Sequence, residues 1–170
     1  MATLIAYYSR TGENYWAGSV KNIDKGNTER VAEFIQEAVV GDLFEIETVK
    51  EYAADYYECI EEAQQELRAH ARPEIKAYVE NMDDYDTIYL GYPNWWGTCP
   101  MCVFTFLEHY DLSGKRIIPF CTNEGSGLAS SERDVKKACP SAQLESGLSI
   151  TGSQAEQSRD KVVSWAKQFA

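Results

Sequence analysis

Hydroxyl, amide and glycine residues gather at two points near the start of the chain. Ser9-Arg10-Thr11-Gly12-Glu13-Asn14 follows a strand-like run, and Gly26-Asn27-Thr28 opens a run of helical period. That composition suits a phosphate. Hydroxyls and backbone N–H groups around a helix start can enclose one, because the unsatisfied amides and the helix dipole both favour an anion. A polar turn followed by an N-cap would share the composition. Triphosphate hydrolysis is disfavoured: it needs Gly-Lys-Ser or Gly-Lys-Thr here, and the only Gly-Lys, Gly114-Lys115, precedes a strand instead. A second segment, Gly91-Tyr92-Pro93-Asn94-Trp95-Trp96-Gly97-Thr98, sets two adjacent indoles in a turn bounded by proline and glycine. Beyond the end of a strand both cannot enter the sheet core, so at least one is expected to be exposed or to face a ligand. Stacking on a flat ring is worth ~0.5–1.5 kcal/mol beyond area burial, and Gly97 permits close backbone approach. Packing against a neighbouring helix is the alternative. The third segment, Thr122-Asn123-Glu124-Gly125-Ser126-Gly127, ends a strand and leads into a helix. Its glycine spacing approximates a dinucleotide fingerprint, but that fingerprint belongs on the first βα turn of its unit.

The five cysteines carry no paired metal spacing, and reduced structural thiols are expected. Cys99 and Cys102 form a single C-x-x-C, which would be a redox pair only if it opened a helix as a reactive thiolate. His70 and His109 fall in helical segments and are expected at the surface.

These three segments need a scaffold that brings distant strand ends together. β-branched and aromatic runs alternate with helical periods, the signature of βα repeats on a parallel sheet. Strands are expected at Thr3–Tyr8, Leu43–Thr48, Thr87–Tyr92, Arg116–Thr122 and, more weakly, Gln143–Leu148. Helices are expected at Thr28–Val39, capped by Asn27 or Thr28, then at Tyr56–Ala71, Pro100–Tyr110 and Ser130–Cys139, with a last one ending at Phe169. Open α/β sheets bind ligands at the carboxyl ends of their strands, beside the point where strand order reverses. All three segments sit at such ends.

Length and composition set the outer bounds. A chain of 170 residues with 44% hydrophobic content suits one domain over residues 1–170. Its longest apolar runs are too short to span a membrane, and a cytoplasmic protein is expected. Lys and Arg number 16 against 27 Asp and Glu, a net charge of −11, so nucleic acid and anionic membrane are disfavoured as partners and a basic protein partner fits better.

The order strand, Tyr-Ser-Arg-Thr-Gly, then Gly-Asn-Thr-Glu at a helix start resembles the phosphate loop of the flavodoxin family. The departure is Glu13 to Lys25, an extension found in a bacterial subfamily. The resemblance implies a flavodoxin-like three-layer α/β sandwich with a five-stranded parallel sheet of order 2-1-3-4-5, and noncovalent FMN as cofactor. It implies phosphate or ribityl contacts from Ser9, Thr11, Gly12, Asn27 and Thr28, backbone from Arg10, and Asn14 reaching in from the extension. Pro93, Asn94, Trp95, Trp96 and Gly97 would flank the flavin, and Thr122, Asn123, Glu124, Gly125 and Gly127 would address its pyrimidine edge through backbone amides. Many family members carry a stacking tyrosine in this third loop, but none stands between Thr122 and Ser131. Glu13, Glu124, Glu108 and Asp111 are expected to surround the ligand with negative charge.

Other proteins of similar architecture fail specific checks. A receiver domain would put an acidic pair after the first strand, where Tyr8-Ser9 stands, and a small phosphatase needs an Arg six residues after a Cys, which no cysteine has. Two functions remain: a low-potential electron carrier between redox proteins, with no catalytic residue and no metal, or an FMN-dependent NAD(P)H:quinone or azo-compound reductase.

Overall fold

The computed structural model describes residues 2–170. In chain order the elements are β1 (Ala2–Tyr7), β2 (Gly12–Trp16), β3 (Ser19–Ile23), α1 (Asn27–Ala38), β4 (Asp42–Glu45), α2 (Tyr56–Arg68), β5 (Tyr85–Pro93), α3 (Met101–Glu108), β6 (Arg116–Asn123), α4 (Ser131–Ala138), β7 (Gln143–Leu144), β8 (Leu148–Thr151) and α5 (Arg159–Lys167). Short 3-10 turns at Met82–Asp84 and Gly152–Gln157 precede β5 and α5.

β1, β4, β5, β6 and the β7/β8 pair form one parallel sheet in the order β4-β1-β5-β6-β7, with β8 also on β6. The sheet has six strands where five were expected; with β7 and β8 sharing one edge position, the order otherwise follows the expected 2-1-3-4-5. Strands inside such a sheet are covered on both faces, so their side chains are apolar on both sides of the alternation. In β1, Leu4 and Ala6 enter a core with Phe106 and Leu107 of α3 and Val135 of α4, while Ile5 and Tyr7 enter a second core with Val31 and Ile35 of α1 and Val162 of α5. The molecule is therefore a flavodoxin-like α/β sandwich.

One expectation is corrected and one open segment takes shape. The fifth strand, expected continuous over Gln143–Leu148, is split into β7 and β8. Ile117 O accepts the Glu145 N–H, so its side of β6 faces this edge; two residues on, the backbone nitrogen facing the same way is that of Pro119, which has no hydrogen to donate. The ladder lapses there and resumes at Phe120–Leu148. The Glu13–Lys25 extension folds largely as a β-hairpin, β2 against β3, paired from Gly12–Ile23 to Trp16–Ser19. Its two-residue turn, Ala17 (φ +48°) and Gly18 (φ +95°), has both central residues at positive φ, the form whose twist matches flanking strands.

Candidate functional site

A cavity of about 400 Å³ opens at the carboxyl ends of β1, β5 and β6. It is walled by Arg10, Asn14, Asn27, Thr28, Pro93, Asn94, Trp95, Trp96, Thr122, Asn123 and Glu124 of the expected set, and also by Tyr15, Tyr56, Cys59, Ile60, Ala63, Ser126 and Gly152, which sequence reasoning missed. Ser9, Thr11, Gly12, Gly97, Gly125 and Gly127 do not reach its wall.

At the phosphate corner the backbone of the first loop is pressed onto the start of α1. The N-cap is Gly26, not Asn27 or Thr28 as expected, and it makes no side-chain cap bond. Ser9 replaces the cap from outside: its Oγ accepts from Glu29 N at 3.1 Å. A Cβ on Gly26 would lie 1.9 Å from that Oγ, so only glycine allows this approach. Thr28 Oγ1 and Thr122 Oγ1 share a buried hydrogen bond of 2.8 Å, joining the helix start to the end of β6. Arg10 keeps its charge on backbone: its guanidinium donates to Glu13 O (2.9 Å), Ala53 O (3.0 Å) and Ala54 O (3.1 Å).

The tryptophan turn is a second tight turn of the same type. Trp95 pairs with Thr98, and between them Trp96 (φ +58°) and Gly97 (φ +86°) both lie at positive φ. Asn94 fixes it, its Oδ1 accepting from Gly97 N at 2.8 Å and its Nδ2 donating to Gly127 O at 2.8 Å, which ties the second loop to the third. The two indoles then part. Trp95 stands edge-on to Tyr8 (5.2 Å) and Tyr52 (5.1 Å) against the core, whereas Trp96 is 49% exposed and donates from Nε1 to Ile60 O in α2 at 2.8 Å. One indole is therefore exposed, as the turn composition requires.

The third loop departs from expectation. Asn123 Oδ1 accepts from both Gly125 N and Gly127 N at 3.0 Å, so those two amides brace the loop and are not free for a ligand. Glu124 is also committed, accepting from Ala17 N at 2.6 Å and Ser153 N at 2.9 Å. Glu13 Oε1 accepts from Tyr56 N at 2.9 Å. The expected ring of four acids shrinks to these two. Glu108 ends α3 and pairs with Arg72, and Asp111 lies in the turn before β6 with Ser113 on its carboxylate; both stand at the amino end of the sheet, away from the cavity.

Burial raises the Cys59 thiol on the α2 wall to about 11, Arg10 opposing, and pushes the Tyr56 hydroxyl up. Cys99 and Cys102 do flank the start of α3, but both are fully buried with their thiols pushed well up, so they form no reactive pair. The missed wall residues left little signal: the α2 stripe reads as ordinary amphipathicity, and Gly152 matters only because a Cβ there would lie 2.6 Å from Asn27 Nδ2.

Among the described residues the site has one orphan. Asn27 is buried and its Oδ1 meets no hydrogen-bond partner. A buried acceptor without a donor costs ~1–3 kcal/mol, and the residue that carries it lines a cavity with an anion-compatible helix start on one side and indoles on the other. A sugar-like hydroxyl would satisfy it, a phosphate would suit the α1 start, and a flat ring would suit the aromatic walls. FMN carries all three.

The fold and cavity define an open α/β protein that holds a mononucleotide at its strand ends. The chain belongs to the flavodoxin family, whose model (Flavodoxin_4) matches residues 20–169. FMN is accordingly its cofactor. Among solved structures, a provisionally named flavoprotein from Bacteroides uniformis is similar at 31% identity and TM-score 0.79, covering 98% of this chain and 97% of that one. A flavoprotein from Lactobacillus acidophilus in complex with FMN (22% identity, TM-score 0.68, 92% and 97% covered) and oxidised Flavodoxin 2 from Bacillus cereus (22%, 0.57, 99% and 97%) share the fold. No protein of curated function matches the sequence. Among the described residues no helix is long and apolar enough to cross a membrane.

Proposed function

We propose that the chain is a low-potential FMN electron carrier that exchanges electrons with basic redox partner proteins. One observation carries this reading over a nicotinamide-dependent reductase. Among the described residues Arg10 is the only cationic side chain on the cavity wall, and its guanidinium is spent on three backbone carbonyls. A reductase must hold a second phosphate-bearing molecule beside the flavin, and this wall offers it no free cation.

Bound FMN supplies reversible one- and two-electron redox chemistry. The residues have the following tasks. The α1 start, with Thr28, holds the phosphate, and Ser9 braces that start from outside the cavity through Glu29 N; Asn27 takes a ribityl hydroxyl; Trp95 and Trp96 wall the ring; Glu124 and the net charge of −11 disfavour added negative charge and so lower the potential. A cradle of neutral donors accepts a terminal monophosphate better than a diphosphate carrying adenosine, so FMN is expected to bind more tightly than FAD in a fluorescence titration.

The discriminating experiment adds reduced nicotinamide nucleotide to the FMN-loaded protein alone. The carrier is expected to keep its flavin absorbance until a reductase protein is added. Rapid stoichiometric bleaching without one would favour the enzyme.

A further inference from the structure

Of the two strands in the β2–β3 hairpin only Ile23 is buried, and a lone two-stranded hairpin is marginal in water. Polar ties nevertheless fix it at base, middle and tip. Near the base Glu13 accepts from the first amide of α2. From the middle Asn14 Nδ2 donates back to Arg10 O (3.0 Å) and Gly12 O (3.2 Å), and at the tip Ala17 donates to Glu124. Residues two apart on a strand share a face, so the face drawn against α2 carries Glu13 and Tyr15. There the Tyr15 ring stacks on that of Tyr56 at 6.1 Å and 27°, and both rings line the cavity. Trp16 points the other way, under the Lys21 ammonium at 4.3 Å, and is not on the cavity wall. The loop after β6 brings no aromatic ring to the cavity.

We propose that the hairpin is a built-in wall of the FMN site, in which Tyr15, braced by Tyr56, closes the cavity over the cofactor and Glu124 latches the hairpin in place. A tyrosine pair beside a flat ligand, Tyr15 exposed and Tyr56 half-buried, gains area and stacking once the ligand is present, which offsets the cost of ordering an otherwise solvated hairpin. The inference rests on FMN occupying this cavity.

The test titrates FMN into the apo full-length chain and into Tyr15→Ala, Tyr15→Phe and Trp16→Ala, following flavin fluorescence, with thermal melts of each. Tyr15→Ala is expected to weaken binding roughly three- to tenfold and to restore part of the quenched fluorescence, with Tyr15→Phe and Trp16→Ala within about twofold of the parent. Glu124→Gln, which loses one of two acceptor oxygens, is expected to speed FMN release in stopped-flow displacement. Parent chain that binds FMN while Tyr15→Ala matches it in affinity and quenching would overturn the wall but leave the FMN site standing. Equal losses in Tyr15→Ala and Trp16→Ala would also overturn it, since the hairpin would then act only through folding. Parent chain that takes up no FMN would overturn both.

Discussion

At the residue scale the two tryptophans separate a packing role from a ligand role. Trp96 holds a left-handed backbone conformation that costs a bulky residue ~1–2 kcal/mol, and strain kept beside a cavity points to use there. Trp96→Ala is expected to weaken FMN binding up to about tenfold with little loss of thermal stability. Trp95→Ala, which empties a half-buried site against Tyr8 and Tyr52, is expected to lower stability by about 2–3 kcal/mol, somewhat under the figure for a fully buried aromatic. Fluorescence titration and melting of both variants check the division; equal effects on binding and stability in both would refute it. The sequence shows these residues because Trp-Trp between Pro and Gly is chemically conspicuous. It does not show which indole goes inward, since that is decided by Asn94 and by the Ile60 carbonyl, 36 residues away. Asn27 was legible as a site residue but not as an orphaned acceptor, and the amides of Gly125 and Gly127 looked free until Asn123 was seen to take both.

Among the elements, the parallel strands were readable from their apolar runs, and the helices to within a few residues. The hairpin was not. Its strands, Gly12–Trp16 and Ser19–Ile23, are mostly polar and half exposed, and its turn is Ala-Gly, not the Asn-Gly that announces this geometry. The split of the fifth strand was equally hidden, because it follows from Pro119 on a neighbouring strand. The turn gives an expectation of its own. Ala17 sits at φ +48°, where asparagine is better tolerated, so Ala17→Asn is expected to raise stability by up to about 1 kcal/mol and to slow FMN release. Melting and displacement kinetics check it, and a faster release would contradict a hairpin that holds the cofactor in.

For the whole molecule, charge and buried acids set the response to conditions. Burial raises Cys59 and Cys139 to about 11 and Cys121 to about 12, from an ordinary 9.0. The unfolded chain therefore releases these protons first as pH rises, the native state binds more of them, and stability falls. The contribution is complete below about pH 9 and is lost through about pH 12, so the melting temperature is expected to drop across that window. A flat alkaline profile would contradict it. The surface charge bears on partners. Glu124 is tied to backbone, so Glu61, exposed on α2 beside the cavity wall, is the better steering charge. Electron transfer to a basic acceptor is expected to slow as salt rises, and Glu61→Lys to blunt that dependence more than Asp83→Lys at the opposite end of the sheet. Stopped-flow rates that ignore salt would leave the acidity as a solubility device.

The bond from Ala17 N to Glu124 spans 107 residues, and the same carboxylate reaches on to Ser153. No local folding event can make it. During synthesis the hairpin emerges early and must wait for β6 and the segment after β8, so the cofactor site is completed late, by a contact of high sequence separation. The nucleus is then expected to form without it: Glu124→Gln should accelerate unfolding and leave the refolding rate of the apo chain almost unchanged, a φ-value near zero. A φ-value near one would mean that the hairpin tip and the end of β6 meet first.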